Sequence, residues 1–202
     1  MVSKTLSFRW VPYPRVRWFI ALLALVALSA CDKAAPPLKV RIGQAMPALH
    51  VQDLHNQSVS IKANPGKLLM INVWATWCGP CRHEMPSLQR LAKQLGGDRL
   101  ELVGLSVDVD EHVVREYLIE NKITFPSFLD RNLSEVNGVL GIRVFPSTFF
   151  VSPDGRLVKV IEGWRDWSTP ELVESIGALL PSIPSSPPSS SSSLLPLKEE
   201  LP

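Results

Sequence analysis

Cysteine is scarce in this 202-residue chain, which contains only Cys31, Cys78 and Cys81. Two of the three form a Cys-x-x-Cys pair, so no further pair remains to build a framework of structural disulfides. A structural zinc site needs four ligands, and the sequence has no second Cys-x-x-Cys or Cys/His pair. These absences favour a redox-active dithiol at Cys78 and Cys81, with no metal and no cofactor.

Long runs of like charge are also missing. The net charge of +2 arises in the first thirty residues, which contribute four cations and no acid, and the rest of the chain has 17 basic and 19 acidic residues. No basic stripe or charge run remains that would indicate a nucleic acid or an acidic substrate as partner.

The N-terminal apolar run is too short for an ordinary membrane span. Residues 18–30 are thirteen uncharged positions after a basic region, whereas a spanning helix needs roughly 20. This layout is typical of an export signal, and we predict a signal peptide over residues 1–30. The final Leu-Ser-Ala-Cys resembles the lipobox of bacterial lipoproteins, which would make Cys31 the lipid attachment site. The alternative is an ordinary small residue in a signal tail.

A lipid on Cys31 predicts an exported protein held on the periplasmic side of the bacterial cytoplasmic membrane. Residues 31–41 then form the lipid anchor and a Pro-containing spacer. At the other end, residues 182–202 are rich in proline and serine and cannot bury a core, so we predict a disordered tail. Residues 42–181 remain as a single folded domain.

Periodicity within this domain predicts an α/β fold. Leu68–Trp74 is apolar at almost every position, as expected for a central strand covered on both faces. The Cys-x-x-Cys pair follows this strand and opens an amphipathic helix that ends at Gly96. The other predicted elements are a hairpin over 48–61, strands at 100–107, 127–129, 145–151 and 157–162, and helices at 111–123, 133–140 and about 169–180.

Two local details accompany these elements. The inward face of the helix over 111–123 is predicted to consist of Val113, Val114, Tyr117 and Leu118. The last helix has two candidate starts, a capping box of Ser168 with Glu171 or a cap at Thr169 followed by Pro170.

The position of the dithiol determines which sulfur attacks. Cys78 lies at the start of a helix, where free N–H groups and the helix dipole stabilise a thiolate. Cys81 lies one helical turn further on and can return to resolve a mixed disulfide with Cys78. The pair therefore predicts thiol–disulfide exchange with client proteins.

The motif Trp-Cys-Gly-Pro-Cys at residues 77–81 resembles the active site of the thioredoxin superfamily. Pro86 resembles its helix-kinking proline, and Phe-Pro-Ser-Thr at 145–148 resembles its cis-proline segment. Asn-x-Trp-Ala-Thr-Trp-Cys at 72–78 and the Glu84-x-Pro86 pair resemble the membrane-anchored TlpA/ResA redoxins. The resemblance implies a thioredoxin-like three-layer α/β fold with a central mixed sheet and an N-terminal β-hairpin extension.

The resemblance also implies roles for individual residues. It makes Pro146 the cis proline, although Phe-Pro-Ser recurs at Pro126, and it implies that Trp77 and Phe145 contact the substrate. Glu84 lies on the face of the helix that carries Cys81. It is either a proton-transfer group that replaces the aspartate expected at Asn72 or a solvated surface charge.

A Gly-Pro dipeptide between the cysteines resembles reducing thioredoxins more than strong oxidants. An exported reductase needs a membrane thiol-electron donor, which the resemblance implies to be of the DsbD/CcdA kind, with apocytochrome c or copper-site proteins as clients. Two alternatives remain open. One is a peroxidase-like redoxin, and the other is a copper(I)-binding assembly factor that uses Cys78 and Cys81 with His83 or Met85.

Overall fold

A computed structural model describes residues 39–142 and 144–182 of the chain. The predicted signal peptide, the lipid site at Cys31 and nearly all of the predicted tail lie outside the described residues. The seven strands are β1 (Leu49–Gln52), β2 (Ser58–Ile61), β3 (Leu68–Trp74), β4 (Leu100–Ser106), β5 (Ser127–Leu129), β6 (Ser147–Val151) and β7 (Leu157–Glu162). The helices are α1 (Gly79–Leu95), α2 (Glu111–Glu120) and α3 (Pro170–Gly177), with a π-helical turn at Val136–Leu140.

The strands form one mixed sheet in the order β2-β1-β5-β4-β3-β6-β7. Strand β3 pairs in parallel with β4 and antiparallel with β6, and all seven of its residues are buried. The hairpin β1–β2 extends the sheet at one edge, where β1 pairs with β5. The predicted α/β fold with a central mixed sheet and an N-terminal hairpin is therefore confirmed.

The prediction that Val113 faces inward is wrong. Val113 is 44% exposed, while Val114, Tyr117 and Leu118 are buried. Successive helical residues are about 100° apart around the helix axis. The buried face that carries Val114 and Leu118 is narrow, so Val113 lies outside it and faces solvent. The helix also ends at Glu120 instead of residue 123.

Two other helices are shorter than predicted. The segment over 133–140 becomes helical only at residue 134 and continues as the π turn Val136–Leu140, because Leu133 has a left-handed φ of 58° that a helix cannot include. Helix α3 starts with Thr169 as its N-cap and Pro170 in its first turn, which selects the second of the two predicted starts, and it ends at Gly177.

The described chain enters the domain beside the start of β7. The N–H of Gly43 donates to the C=O of Leu157 at 2.7 Å, and the N–H of Met46 donates to the C=O of Gly155 at 2.8 Å. At the other end of β7, Glu162 pairs with Ser147, next to Pro146. The entry point thus lies at the end of the sheet opposite Pro146. In the part of the chain that the structure describes, no helix is long and apolar enough to cross a membrane.

Arg131 fastens the hairpin to the rest of the domain. Its guanidinium donates to Gln52 Oε1 at 2.9 Å, to Asn56 Oδ1, and to Glu111 Oε2 at 2.6 Å. The bond from Arg131 is the main cause that lowers the pKa of Glu111 to about 2. The β1–β2 extension is therefore held partly by an ion pair at the start of α2.

Candidate active site

Strand β3 and helix α1 bring the two cysteines to the end of the sheet. Cys78 is the N-cap of α1, and its Sγ accepts the N–H of Cys81 at 3.3 Å. The structure has Cys78 and Cys81 joined as a disulfide, with the two Cα atoms 5.2 Å apart. Cys78 is 8% exposed and Cys81 is fully buried, so Cys78 offers the sulfur that an incoming disulfide can reach.

An aromatic pair borders the loop that carries Cys78. Trp77 is 66% exposed, and its ring meets the ring of Phe145 edge to face at 6.1 Å. The peptide bond between Phe145 and Pro146 is cis, at the position that the resemblance predicts. Pro126 instead lies before β5, where its C=O accepts the N–H of Gly104 at 2.8 Å.

Glu84 is fully buried, so it is not a solvated surface charge. Its Oε1 accepts Asn72 Nδ2–H at 2.7 Å. Its Oε2 accepts Trp167 Nε1–H at 3.0 Å and the backbone N–H of Arg165 at 3.2 Å. Burial raises the pKa of Glu84, and the three donors oppose this rise without cancelling it. A carboxylate with a raised pKa accepts a proton more readily than an ordinary glutamate does.

Asn72 connects Glu84 to the strand that follows the cis proline. It lies in the middle of β3 opposite Thr148 of β6, and its Nδ2 also donates to Thr148 Oγ1 at 3.0 Å. Its own carbonyl oxygen Oδ1 is buried and has no hydrogen-bond partner. An amide does not titrate at neutral pH, so the titratable group at this place is Glu84 and not residue 72.

The part played by Trp167 is one that the sequence analysis did not predict. Trp167 is fully buried, and its ring packs against Phe150 at 6.2 Å. Its backbone N–H donates to Ser87 Oγ at 3.1 Å, and the Ser87 hydroxyl donates to the C=O of Glu84 at 2.7 Å. A buried tryptophan usually finds a hydrogen-bond partner for its N–H. This tendency was the only feature of the sequence that could have indicated a polar contact for Trp167.

Asp108 is a second functional residue that the sequence did not reveal. It lies just beyond β4 and is 6% exposed. Its carboxylate accepts the N–H of Thr76 at 2.9 Å, the hydroxyl of Thr76 at 2.8 Å and the hydroxyl of Ser106 at 2.7 Å. Because Thr76 is two residues before Cys78, these bonds hold the loop that presents the attacking sulfur.

The two further ligands of the copper(I) hypothesis lie in different surroundings. His83 is exposed and its ring lies 5.0 Å from that of Trp164, whereas Met85 is fully buried. Within residues 39–142 and 144–182, no group of three or more His, Cys, Asp or Glu side chains is arranged to hold a metal ion.

The sequence and the fold are similar to those of known proteins. Residues 42–160 match the sequence model of the AhpC/TSA family. A thiol-disulfide oxidoreductase ResA from Oceanobacillus iheyensis is 32% identical over 149 residues, which cover 71% of this chain and 77% of that protein. Homologues named in this way, together with the Cys-x-x-Cys pair, identify thiol–disulfide exchange as the activity.

Solved structures of related proteins show the same fold. A thiol:disulfide interchange protein of the thioredoxin family from Chlorobium tepidum has a TM-score of 0.55 at 25% identity, covering 67% of this chain and 97% of that one. A thiol:disulfide interchange protein from Bacteroides has a TM-score of 0.59 at 23% identity, covering 70% and 91%. These similarities support a thioredoxin-like fold for the described domain.

Proposed function

The chain belongs to the AhpC/TSA family and is a thiol-disulfide oxidoreductase, and from this premise we propose that it is a membrane-tethered reductase for disulfides of exported client proteins. The observation that carries the proposal is the asymmetry of the dithiol. Cys78 caps a helix and can be reached, while Cys81 is fully buried behind it.

The exchange proceeds in two steps. The Cys78 thiolate attacks one sulfur of the client disulfide, which forms a Cys78–client bond, breaks the client S–S bond and releases one client thiolate. Cys81 then loses its proton and attacks Cys78 Sγ, which forms the Cys78–Cys81 disulfide and releases the second client thiolate. The released thiolates take up protons, and two electrons pass from the dithiol to the client.

Glu84 receives the proton that leaves Cys81. The carboxyl group lies one turn beyond Cys81 on α1, is fully buried and has a raised pKa. A raised pKa makes a carboxylate a stronger proton acceptor than an ordinary glutamate. Replacement of Glu84 by glutamine should therefore slow turnover and change the pH–rate profile, and an unchanged profile would eliminate this role.

Three features support a reducing direction and particular partners. The Gly79-Pro80 dipeptide resembles that of reducing thioredoxins, whose potentials lie roughly 150 mV below those of strong oxidants. An exported reductase must be re-reduced from across the membrane, so a thiol transporter of the DsbD/CcdA kind is the proposed donor. The resemblance of residues 72–78 and of the Glu84-x-Pro86 pair to the TlpA/ResA redoxins implies the clients, and we propose the cysteines of apocytochrome c or of copper-site proteins.

The proposed membrane tether is a lipid on Cys31, the last residue of the lipobox-like segment 28–31. The first described residues pair with the end of the sheet opposite Pro146. Replacing Cys31 by serine should release the protein from the membrane fraction. Retention of that variant in the membrane would contradict lipid anchoring.

Trapping the natural partner tests the proposal as a whole. The Cys81→Ser variant can form a mixed disulfide through Cys78 but cannot resolve it, so client proteins should remain attached and be identifiable by mass spectrometry. The variant with both cysteines replaced by serine is the matched control and should trap none. A set of trapped proteins without cytochrome or oxidase-assembly components would reject the proposed clients, and the absence of any adduct would reject the reductase.

A further inference from the structure

The two oxygens of the buried Glu84 carboxyl group have different kinds of neighbours. Oε2 faces the indole N–H of Trp167 and the backbone N–H of Arg165. Both of these groups are donors with no acceptor capacity. A proton on Oε2 would therefore meet at least one of these hydrogens and displace that bond, so protonation at Oε1 is the arrangement that keeps both bonds to Oε2.

The other oxygen faces a group that can serve both protonation states. Oε1 is bonded to the side-chain amide of Asn72, whose own Oδ1 is buried without a partner. The oxygen and nitrogen of an amide are nearly equal in size, so a half-turn of this side chain exchanges them without repacking. After that turn Oδ1 can accept a proton carried by Oε1 and also the hydroxyl hydrogen of Thr148.

We propose that Trp167 is a positioning residue that fixes the site of protonation on Glu84 at Oε1, with the Asn72 amide turning to accept that proton. The inference rests on the proposed role of Glu84 in thiol–disulfide exchange. It explains why the Asn72 oxygen has no partner in the carboxylate form, since that oxygen is needed when Glu84 is protonated.

Among the described residues, few charged groups face the Glu84 carboxyl group and could shift its pKa. Strands β3 and β6 present the uncharged Asn72 and Thr148, and α1 presents Cys81, which is oxidised in this structure. The connection after β7 presents Arg165, whose side chain is exposed and donates to the C=O of Trp164. Arg165 lowers the pKa of Glu84, but its effect ranks below those of burial and the hydrogen bonds.

Nuclear magnetic resonance of the oxidised protein tests the proposed protonation of Glu84 at Oε1 without a substitution at Trp167. The indole N–H resonance of Trp167 should move with pH, because Oε2 becomes a weaker acceptor when Oε1 binds the proton. The movement should disappear in the Glu84→Gln variant. Trp74 is the matched reference, since it is also fully buried and its indole N–H has no hydrogen-bond partner. A Trp167 resonance that does not change with pH, or a Trp74 resonance that changes equally, would overturn the proposal.

The Trp167→Phe variant supplies an independent test. It keeps an aromatic ring against Phe150 but removes one donor from the carboxylate, so the midpoint of the Glu84 infrared carboxyl band should move to higher pH. The C=O stretch of the protonated form should move to higher frequency, because its oxygen loses a donor. Trp74→Phe should leave both unchanged. If Trp167→Phe leaves both unchanged as well, the positioning role fails.

These results separate the inference from the proposed function. If the Trp167 resonance follows pH while its indole N–H stays hydrogen-bonded, but Glu84→Gln keeps the wild-type pH–rate profile, the protonation site is correct and the role of Glu84 in exchange is not. If Glu84→Gln alters the pH–rate profile while the Trp167 resonance stays fixed, Glu84 takes part in exchange but the proposed protonation site is wrong.

Discussion

Replacement of Glu84 by glutamine should remove a measurable part of the pH dependence of folding stability. Burial raises the pKa of Glu84 in the folded protein above its usual value of 4.5, which applies to the unfolded chain. At a pH between the unfolded and the folded pKa, the folded protein therefore binds a proton that the unfolded chain has lost. The stabilisation is fully present below about pH 4.5 and is lost as the pH rises through the folded pKa. Within that window one proton changes the free energy of unfolding by at most about 1.4 kcal/mol per pH unit.

Glutamine can replace the carboxyl group without leaving a cavity. Its carbonyl oxygen can accept the N–H groups of Trp167 and Arg165, and its amide nitrogen can donate to the turned Asn72. The variant therefore keeps the volume and most hydrogen bonds but has no titrating proton at this site.

Urea unfolding of the oxidised protein at a series of pH values measures this effect. The difference in free energy of unfolding between wild type and Glu84→Gln should fall as the pH rises above about 4.5 and then become constant. Glu116→Gln removes an exposed carboxyl group from α2 and should keep the wild-type fall. A difference between wild type and Glu84→Gln that is independent of pH, or that rises with pH, would refute the reasoning.

Two further predictions concern the supports of the site and of the hairpin. Thr76→Val should lower the free energy of unfolding by about 1.5 kcal/mol, because it removes the hydroxyl bond to the Asp108 carboxylate, whereas Thr169→Val, at a hydroxyl that makes no cap bond, should change it by less than about 0.5 kcal/mol. Glu111 is stabilised as a carboxylate by Arg131, so its contribution is present above pH 4.5 and is lost as the pH falls towards its folded pKa of about 2. Acid-unfolding curves of Glu111→Gln should lack this loss, and a curve parallel to that of the wild type would contradict it.

The central strand and the dithiol could be predicted because their signals are local. Leu68–Trp74 is apolar on both faces and is buried at every position, and Cys78 follows it at the start of a helix. The prediction that Val113 faces inward was wrong because it also relied on local sequence pattern alone. An apolar residue adjacent to Val114 fits the sequence pattern, but only the packed structure determines how wide the buried face of α2 is.

The environment of Glu84 could not be predicted from spacing along the helix. Helical periodicity placed Glu84 on the face of Cys81, but it could not distinguish a buried group from a solvated one. The deciding contact is with Trp167, which lies 83 residues later in the chain. Asp108 likewise reaches Thr76 across 32 residues, and no motif in the sequence marks either contact.

The order of attack by the two cysteines is the central claim, and mixed-disulfide formation tests it most directly. A peptide disulfide is mixed with the Cys81→Ser variant and, separately, with the Cys78→Ser variant, and the adducts are measured by mass spectrometry. Because Cys78 is reachable at the helix start and Cys81 is fully buried, Cys81→Ser should form a stoichiometric adduct at Cys78 while Cys78→Ser forms little. Equal or faster adduct formation at Cys81 would contradict the account.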